Sequence, residues 1–167
     1  MSQTQDVTRT RTYSWTSPAE FATLLAGKSG LELMRGMAAG ELPPPPIAVL
    51  LRMQPVELEP GHAVFEGEPR EEHYNPIGVV HGGYAATLLD SALGCALHTT
   101  LPAGRGYTSV EIKVSYLKAV RPSSGLLTAT GRVVRVGSRV GFTEGEVTDA
   151  SGAIVATASS TLLLFDV

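Results

Sequence analysis

The stretch 79-VVHGGYAATLLDSALGCAL-97 decides the fold, because it predicts a long helix from about Gly83 to His98. Apolar residues occupy nearly its whole circumference, which is typical of a helix buried on most sides. Asp90 is its only formally charged residue. Because an unpaired buried carboxylate is costly, this acid lies on a solvated face, is hydrogen-bonded in the core, or is catalytic. Composition and spacing leave all three interpretations open.

The start of this helix offers a second chemical feature. The N–H groups of His81-Gly82-Gly83 have no intrahelical partner and lie at the positive end of the helix dipole, so they suit an anion or a carbonyl oxygen that becomes negative. Asp90 lies eight residues beyond Gly82, about 12 Å along the axis at 1.5 Å per residue. One carbonyl cannot touch both groups of one helix. Cooperation therefore requires Gly82 of one subunit and Asp90 of another, at a two-fold interface.

Strand patterns surround the helix. Before it, residues 47–58 and 62–69 are separated by the turn signal Glu-Pro-Gly. After it, residues 108–117, 126–136, 140–149 and 153–165 are strand-like. In the first of these, Val110, Ile112, Val114 and Tyr116 alternate with polar residues on the opposite face. These patterns predict an α+β fold: a curled antiparallel sheet of five to six strands around the long central helix.

The chain divides into three predicted parts. Residues 1–16 are expected to form a flexible arm. Residues 17–46 are expected to form a helical extension with one or two short helices, which start at a capping box of Ser17, Pro18 and Glu20 and run to about Ala39. The prolines 43–46 are expected to hold the chain extended as a connector. Residues 47–167 then form the main domain.

The bulk composition excludes several classes of protein. The 167 residues carry 43% hydrophobic and 17% charged residues with a net charge of −3, which gives no support for nucleic-acid binding. The single cysteine, Cys95, has no metal partners at ligand spacing and is expected to be a small buried hydrophobe. We find neither a membrane-spanning stretch nor a signal-peptide core, and we expect a cytoplasmic protein.

Basic residues are concentrated after the helix. Within residues 101–141 they stand against Glu111 alone: Arg105, Lys113, Lys118, Arg121, Arg132, Arg135 and Arg139. This excess is explained equally by solvated strand faces and by a site for an anionic ligand, such as a phosphorylated cofactor.

The runs 73-HYNPIGVVHGGYAATLLDSALGCALHTTLP-102 and 107-YTSVEIKVSYLKAVRP-122 resemble the hot-dog-fold acyl-CoA thioesterases. Within them the chain is most similar to the PaaI-like branch, related to the 4-hydroxybenzoyl-CoA thioesterases of the HGG type. The resemblance covers roughly residues 45–165. It depends on Asn75, His81-Gly82-Gly83 and Asp90 in register, and it implies that residues 47–167 form a hot-dog thioesterase domain.

The resemblance also implies catalytic roles. Asp90 would attack the thioester carbonyl or activate a water, and the Gly82 N–H would polarise that carbonyl. Asn75 would position the thioester or the water, and His81 would orient the helix start. Ser109 would help to hold the nucleophilic water.

For the rest of the substrate, the resemblance implies that coenzyme A phosphates lie near Lys118, Arg121, Ser138 and Arg139. Coenzyme A would be part of the substrate, with no metal and no other cofactor. The active unit would be a homodimer, assembled as a dimer-of-dimers tetramer, with no nucleic-acid or membrane partner.

Two other functions remain open at this point. A hot-dog enoyl-CoA hydratase or dehydratase also pairs a histidine with a helix carboxylate, and His81 with Asp90 could be such a pair. A non-catalytic acyl-CoA-binding domain, as in some transcription regulators, would need a DNA-binding segment. Residues 17–40 carry one arginine and one lysine, too few for phosphate contacts.

Overall fold

The computed structural model describes residues 8–20 and 27–167. Its helices are α1 (Gly30–Ala38), α2 (Pro46–Leu51) and α3 (Gly82–His98), and short 3-10 turns cover Glu71–His73 and Pro122–Ser124. The strands are β1 (Met53–Glu59), β2 (His62–Gly67), β3 (Arg105–Tyr116), β4 (Leu127–Val136), β5 (Val140–Thr148) and β6 (Ile154–Asp166). Within the described ranges no helix is long and apolar enough to cross a membrane.

The strands form one antiparallel sheet of six strands in the order β1-β2-β4-β5-β6-β3. β1 and β3 are therefore the two edges. α3 connects β2 to β3 and packs against β4, β5 and β2. The predicted α+β fold, with a curled sheet around a long central helix, is confirmed.

The core lies between α3 and the sheet. Leu88, Leu89, Ala92 and Leu93 of α3 are almost completely buried. Gly131 of β4 lets the helix approach closely, since a Cβ at this position would lie 2.3 Å from the Ala92 carbonyl oxygen. This helix face packs against the buried apolar residues of the sheet in one continuous core, whose burial stabilises the fold.

The prediction of a strand from residue 47 is wrong for its first half, because residues 46–51 form α2. Pro46 occupies the first helical position, where the fixed φ of proline suits a helix and its missing N–H is not needed. The extended proline connector therefore ends at Pro45. Arg52 ends α2 in the left-handed region at φ 51°, and the strand begins at Met53.

The simple alternation predicted for β3 is also wrong, because a β-bulge interrupts the pairing with β6 between Ser109 and Glu111. The extra residue, Val110, is 60% exposed instead of facing the core. A bulge shifts the alternation by one residue. Ser109 therefore faces α3 on the same side as Ile112 and Val114, instead of opposite to them.

The N-terminal part is described only in pieces. Residues 18–20 are helical from the predicted Pro18, but the further course of that helix lies outside the described residues, as do residues 1–7 of the predicted arm. α1 has its own capping box, Ser29 with Glu32, and ends at Ala38, close to the predicted Ala39. The domain boundaries at residues 16 and 46 stay a prediction.

Candidate active site

Asp90 is half-buried on α3 and is oriented by the neighbouring strand. The Ser109 hydroxyl of β3 donates a hydrogen bond of 2.8 Å to Asp90 Oδ1. The second carboxylate oxygen has no such bond among the described residues. Asp90 is therefore neither a fully solvated acid nor a fully satisfied core acid, and one oxygen is available to a reactant.

Two side chains beside Asp90, those of Tyr107 and Cys95, are partly buried. The Tyr107 ring lies against Gly94, where a Cβ would be 2.6 Å from the hydroxyl oxygen. Burial raises the pKa of Tyr107 well above its ordinary value and raises the pKa of the Cys95 thiol to about 12. Both groups stay protonated near neutral pH, so neither competes with Asp90 as base or nucleophile.

The start of α3 is shaped by His81. Its Nδ1 accepts a hydrogen bond of 2.9 Å from the Gly83 N–H, and its carbonyl accepts one of 2.9 Å from the Tyr84 N–H. His81 is thus the N-cap of the helix. The Gly82 N–H is left at the first helical position, where no intrahelical acceptor exists.

Gly82 lies beside a small cavity of about 300 Å³, which His81 and Tyr116 also line. The Tyr116 hydroxyl donates a hydrogen bond of 3.0 Å to the Gly82 carbonyl. A Cβ on Gly82 would lie 3.1 Å from the Tyr116 ring, so the absence of a side chain keeps the ring and the helix start close. The Gly82 backbone is therefore approachable by another group.

Asn75 shapes the loop that precedes the helix. Its Oδ1 accepts hydrogen bonds from the N–H groups of Ile77 (3.1 Å) and Val79 (3.4 Å), and its own N–H donates to the Val79 carbonyl. The loop carries the chain into α3, since the His81 N–H donates to the His73 carbonyl. Asn75 thus belongs with His81 and Gly82, at the N-terminal end of α3.

The structure divides the predicted catalytic residues into two groups. Asp90 and Ser109 meet in the middle of α3, whereas Asn75, His81 and Gly82 surround its start. β3 contacts both places, through Ser109 at one and Tyr116 at the other. Within one subunit the two groups do not meet.

The residues predicted for coenzyme A are also divided. Lys118 and Arg121 line a surface cavity of about 520 Å³. The Lys118 ammonium donates to Asp149 Oδ2 at 2.7 Å, and this contact, followed by the bond from Ser151, holds the pKa of that carboxyl far below its usual value. Lys118 remains half exposed despite this ion pair.

Ser138 and Arg139 lie in the turn between β4 and β5, at the opposite end of β5 from Asp149. The β5 strand of nine residues separates the two places by about 30 Å at 3.3 Å per residue. The Ser138 carbonyl accepts a hydrogen bond from Arg105, which also forms an ion pair with Asp166. One subunit therefore does not bring these two basic regions together.

Two tyrosines of the site were not predicted to belong to it. Tyr116 was assigned to the apolar face of its strand, yet it is 56% exposed and bonds to the helix start. Tyr107 faces α3 because the bulge at Val110 changes the alternation. Gly94 could have indicated this contact in the sequence, since a glycine within a helix often marks a place where another group packs closely against the backbone.

Comparison with known proteins agrees with this fold. The family model of the thioesterase superfamily matches residues 77–156. Human acyl-coenzyme A thioesterase 13 is 32% identical over 109 residues, which cover 65% of this chain and 76% of that protein. A Halobacterium salinarum protein named as an esterase is 48% identical over 69 residues, and the match spans 40% of this chain and 44% of that protein.

Among solved structures, a phenylacetic acid degradation-related protein from Ralstonia eutropha is 27% identical with a TM-score of 0.71. The match covers 78% of this chain and 98% of that one. The fold and the relatives together define a hydrolase that acts on thioester bonds and has the hot-dog fold. The chain belongs to the thioesterase superfamily.

Proposed function

We propose that this protein hydrolyses acyl-CoA thioesters to a free carboxylic acid and coenzyme A. Asp90 is the base or nucleophile, and the partner subunit's Gly82 N–H polarises the thioester carbonyl. The observation that carries the proposal is the Ser109–Asp90 hydrogen bond, which aims a half-buried carboxylate from an otherwise apolar helix. A carboxylate held in this way acts as a general base or as a nucleophile toward an activated acyl group.

The edge strands support a dimer formed through β3. An edge strand exposes unpaired N–H and C=O groups, and proteins protect such edges with proline, charge or short length. β1 is protected in this way, since it contains Pro55 and its Leu58 carbonyl accepts from Arg35. β3 is longer, with 12 residues and no proline, and its Val110 and Tyr116 are exposed.

The position of the two hydrogen bonds on β3 supports the same dimer. Ser109, bound to Asp90, and Tyr116, bound to Gly82, lie toward opposite ends of the strand. Antiparallel pairing of two copies of β3 around residues 112–113 places Ser109 of one subunit opposite Tyr116 of the partner subunit. Asp90 of one subunit then faces the partner subunit's Gly82, and the dimer has two equivalent sites.

The same pairing brings the basic residues together. The start of β3, with Arg105 beside Ser138, comes next to the end of the partner's β3, where Lys118 follows. Ser138 and Arg139 of one subunit thereby approach Lys118 and Arg121 of the partner subunit. A cluster of this kind suits the phosphates of coenzyme A. The exposed apolar residues Val134 and Phe142 of the sheet support a second contact and hence a tetramer.

The reaction follows from these positions without a metal or redox cofactor. In the general-base route Asp90 takes a proton from a water, and the water oxygen bonds to the thioester carbon. The oxygen of the tetrahedral intermediate accepts a hydrogen bond from the partner subunit's Gly82 N–H. The C–S bond then breaks, and the thiolate takes up the proton that Asp90 removed from the water. In the nucleophilic route an Asp90 oxygen bonds to the thioester carbon and the C–S bond breaks, which gives a mixed anhydride and releases coenzyme A as the thiolate. Water then hydrolyses the anhydride to the free acid and regenerates the Asp90 carboxylate, and the released proton goes to the thiolate.

Thiol release from acyl-CoAs tests the proposal directly. Short, medium, long and aromatic acyl-CoAs are compared with the hydration of an enoyl-CoA, because a hydratase is the nearest enzymatic alternative. The His81 Nδ1 accepts from the Gly83 N–H and so caps its own helix, which disfavours the histidine–carboxylate pair of a hydratase. Hydration without thiol release would overturn the proposal, and so would binding without either reaction.

A further inference from the structure

A cavity of about 650 Å³ lies between the N-terminal segment and α3. We call it the methionine cavity. Its N-terminal wall comes from α1 and the chain up to Val49, and its other walls come from β1, β2 and one face of α3. The residues on which the argument depends are Met34, Met37, Ile47, Met53, Ser91 and Cys95.

The methionine cavity adjoins the proposed catalytic acid. Ser91 directly follows Asp90 on α3, and Cys95 lies about one helical turn further on the same face. Cys95 also contacts Tyr107, which packs beside Asp90. The cavity therefore begins at the residue that follows Asp90 on the helix, which is where the tail of a thioester held at Asp90 can enter it.

The lining of the cavity is mostly apolar, and its polar side chains are those of Arg52, Gln54, Glu66, Glu68 and Ser91. The chain contains four methionines, and all three that follow Met1 line this cavity. Methionine side chains are flexible and adapt to apolar groups of varying shape. Phe65 is the one aromatic ring among the lining residues. The charged members are Arg52, Glu66 and Glu68, of which Arg52 and Glu68 are about two-fifths exposed and Glu66 is half-buried.

Cavity size separates the possible acyl groups. A single aromatic ring fills only about 150 Å³, the size of a cavity that binds benzene. In a space of about 650 Å³ such a ring would leave most of the lining without contact atoms. A linear alkyl tail can extend through the space and contact the methionines along its length.

We propose that the methionine cavity binds the acyl tail, and that this tail is a straight aliphatic chain of medium length. The inference rests on the proposed thioesterase function and adds the substrate class. The N-terminal wall, residues 34–49, lies before residues 77–156, which the family model matches. The N-terminal segment is then a specificity element of this chain.

Binding of S-alkyl-CoA thioethers, which cannot be hydrolysed, tests the tail site independently of catalysis. Calorimetry over alkyl chains of 4 to 12 carbons should show a Kd that falls about three- to fourfold for each added CH₂ until the cavity is filled. In hydrolysis of the matching acyl-CoAs the gain should appear in KM with little change in kcat. Phenylacetyl-CoA and its thioether should resemble the shortest chains.

Two tryptophan substitutions narrow the cavity from its N-terminal wall. Met37→Trp and the 44% exposed Ile47→Trp should weaken binding of the longest thioethers at least tenfold and leave the shortest unchanged. Ala38→Trp, an exposed neighbour outside the cavity, is the matched control and should leave the whole series unchanged. Circular dichroism checks that each variant is folded, and Ile47→Trp provides the test if Met37→Trp unfolds.

The outcomes separate the two proposals. In one outcome the Kd of the thioethers depends on chain length, the cavity variants abolish this dependence, and the wild type releases no thiol. This outcome supports the tail site and overturns the hydrolase. In the other outcome the wild type releases thiol, but one of three results is found: affinity is independent of chain length, the aromatic group is preferred, or the folded cavity variants behave as the wild type. Each of these overturns the tail site alone.

Discussion

Ser109 and Asp90 are joined by a hydrogen bond of 2.8 Å that links the edge strand β3 to the central helix α3. The same strand holds the start of that helix through Tyr116 and the Gly82 carbonyl. The geometry of both halves of the proposed site therefore depends on one strand with a free edge. In the proposed dimer, pairing of that edge with a second copy completes the site.

Asp90→Asn should lower the turnover of acyl-CoA at least ~100-fold, because the amide keeps the shape of the side chain but removes its charge and basicity. Steady-state thiol release measures the effect. Asp166→Asn, on an exposed acid at the end of β6, is the control and should retain nearly full activity. A folded Asp90→Asn protein with near-normal turnover would remove Asp90 from the mechanism.

Ser109→Ala should reduce kcat/KM roughly 10- to 100-fold, since a hydrogen bond to a charged group is worth about 1.5–3 kcal/mol and 1.4 kcal/mol is tenfold in rate. Ser109→Thr keeps the hydroxyl and should restore most of the activity. Ser115→Ala, on an exposed serine of the same strand, is the control. Equal activity of Ser109→Ala and Ser115→Ala would show that the bond to Asp90 does not contribute.

The carboxyl group of Asp149 should make the free energy of unfolding depend on pH in the acid range. Its pKa is lowered by Lys118 first, then by Ser151 and the Ala153 N–H. A lowered pKa stabilises the folded state fully above the unfolded value of about 3.9. This contribution is lost as the pH falls through the lower pKa that Asp149 has in the folded state.

Asp149→Asn should therefore lower Tm at pH 7, and the difference from the wild type should shrink below about pH 4. Thermal unfolding followed by circular dichroism over this range measures both, with Asp166→Asn as the comparison. A difference that grows toward acid pH would contradict the assigned direction of the pKa shift.

Gly131→Ala should destabilise the fold by about 1–3 kcal/mol, the usual cost of overpacking, because the new Cβ would meet the Ala92 backbone. Urea unfolding measures the free energy of unfolding. Gly106→Ala is a strand control, since its Cβ would meet only side chains of Val167 and Phe165 at an exposed end. Equal losses in both variants would show that the close approach of helix and sheet is unimportant.

The main elements could be predicted because their signals are local. The apolar periodicity of residues 83–98 predicts α3, and the glycines after His81 indicate its start. The bulge at Val110 could not be predicted, since it is set by pairing with β6. The sequence pattern therefore placed Ser109 on the wrong face, although the family resemblance had already selected it.

Other features depend on tertiary contacts that no local pattern carries. Residues 47–51 were predicted to begin a strand, yet Pro46 starts a helix in which the carbonyls of Val49 and Leu50 accept hydrogen bonds from Arg11. The ion pair of Lys118 with Asp149 joins residues 31 positions apart. The methionine cavity likewise exists only once α1 and β1 pack beside α3.

The shared site is tested most directly by mixing two inactive variants. Asp90→Asn removes the acid, and Gly82→Pro removes the N–H at a first helical position that tolerates proline. In a mixed dimer one site combines both defects, and the other is intact. When equal amounts are refolded together, random pairing makes about half of the dimers mixed. Because one of the two sites in each mixed dimer is intact, the mixture should have about a quarter of wild-type activity.

Thiol release by the refolded mixture, compared with each variant refolded alone, is the measurement. Recovery to about a quarter of wild-type activity is the result expected if Asp90 and the partner subunit's Gly82 form one site at a two-fold interface. A mixture no more active than its two components, although mixed dimers are present, would contradict the shared site.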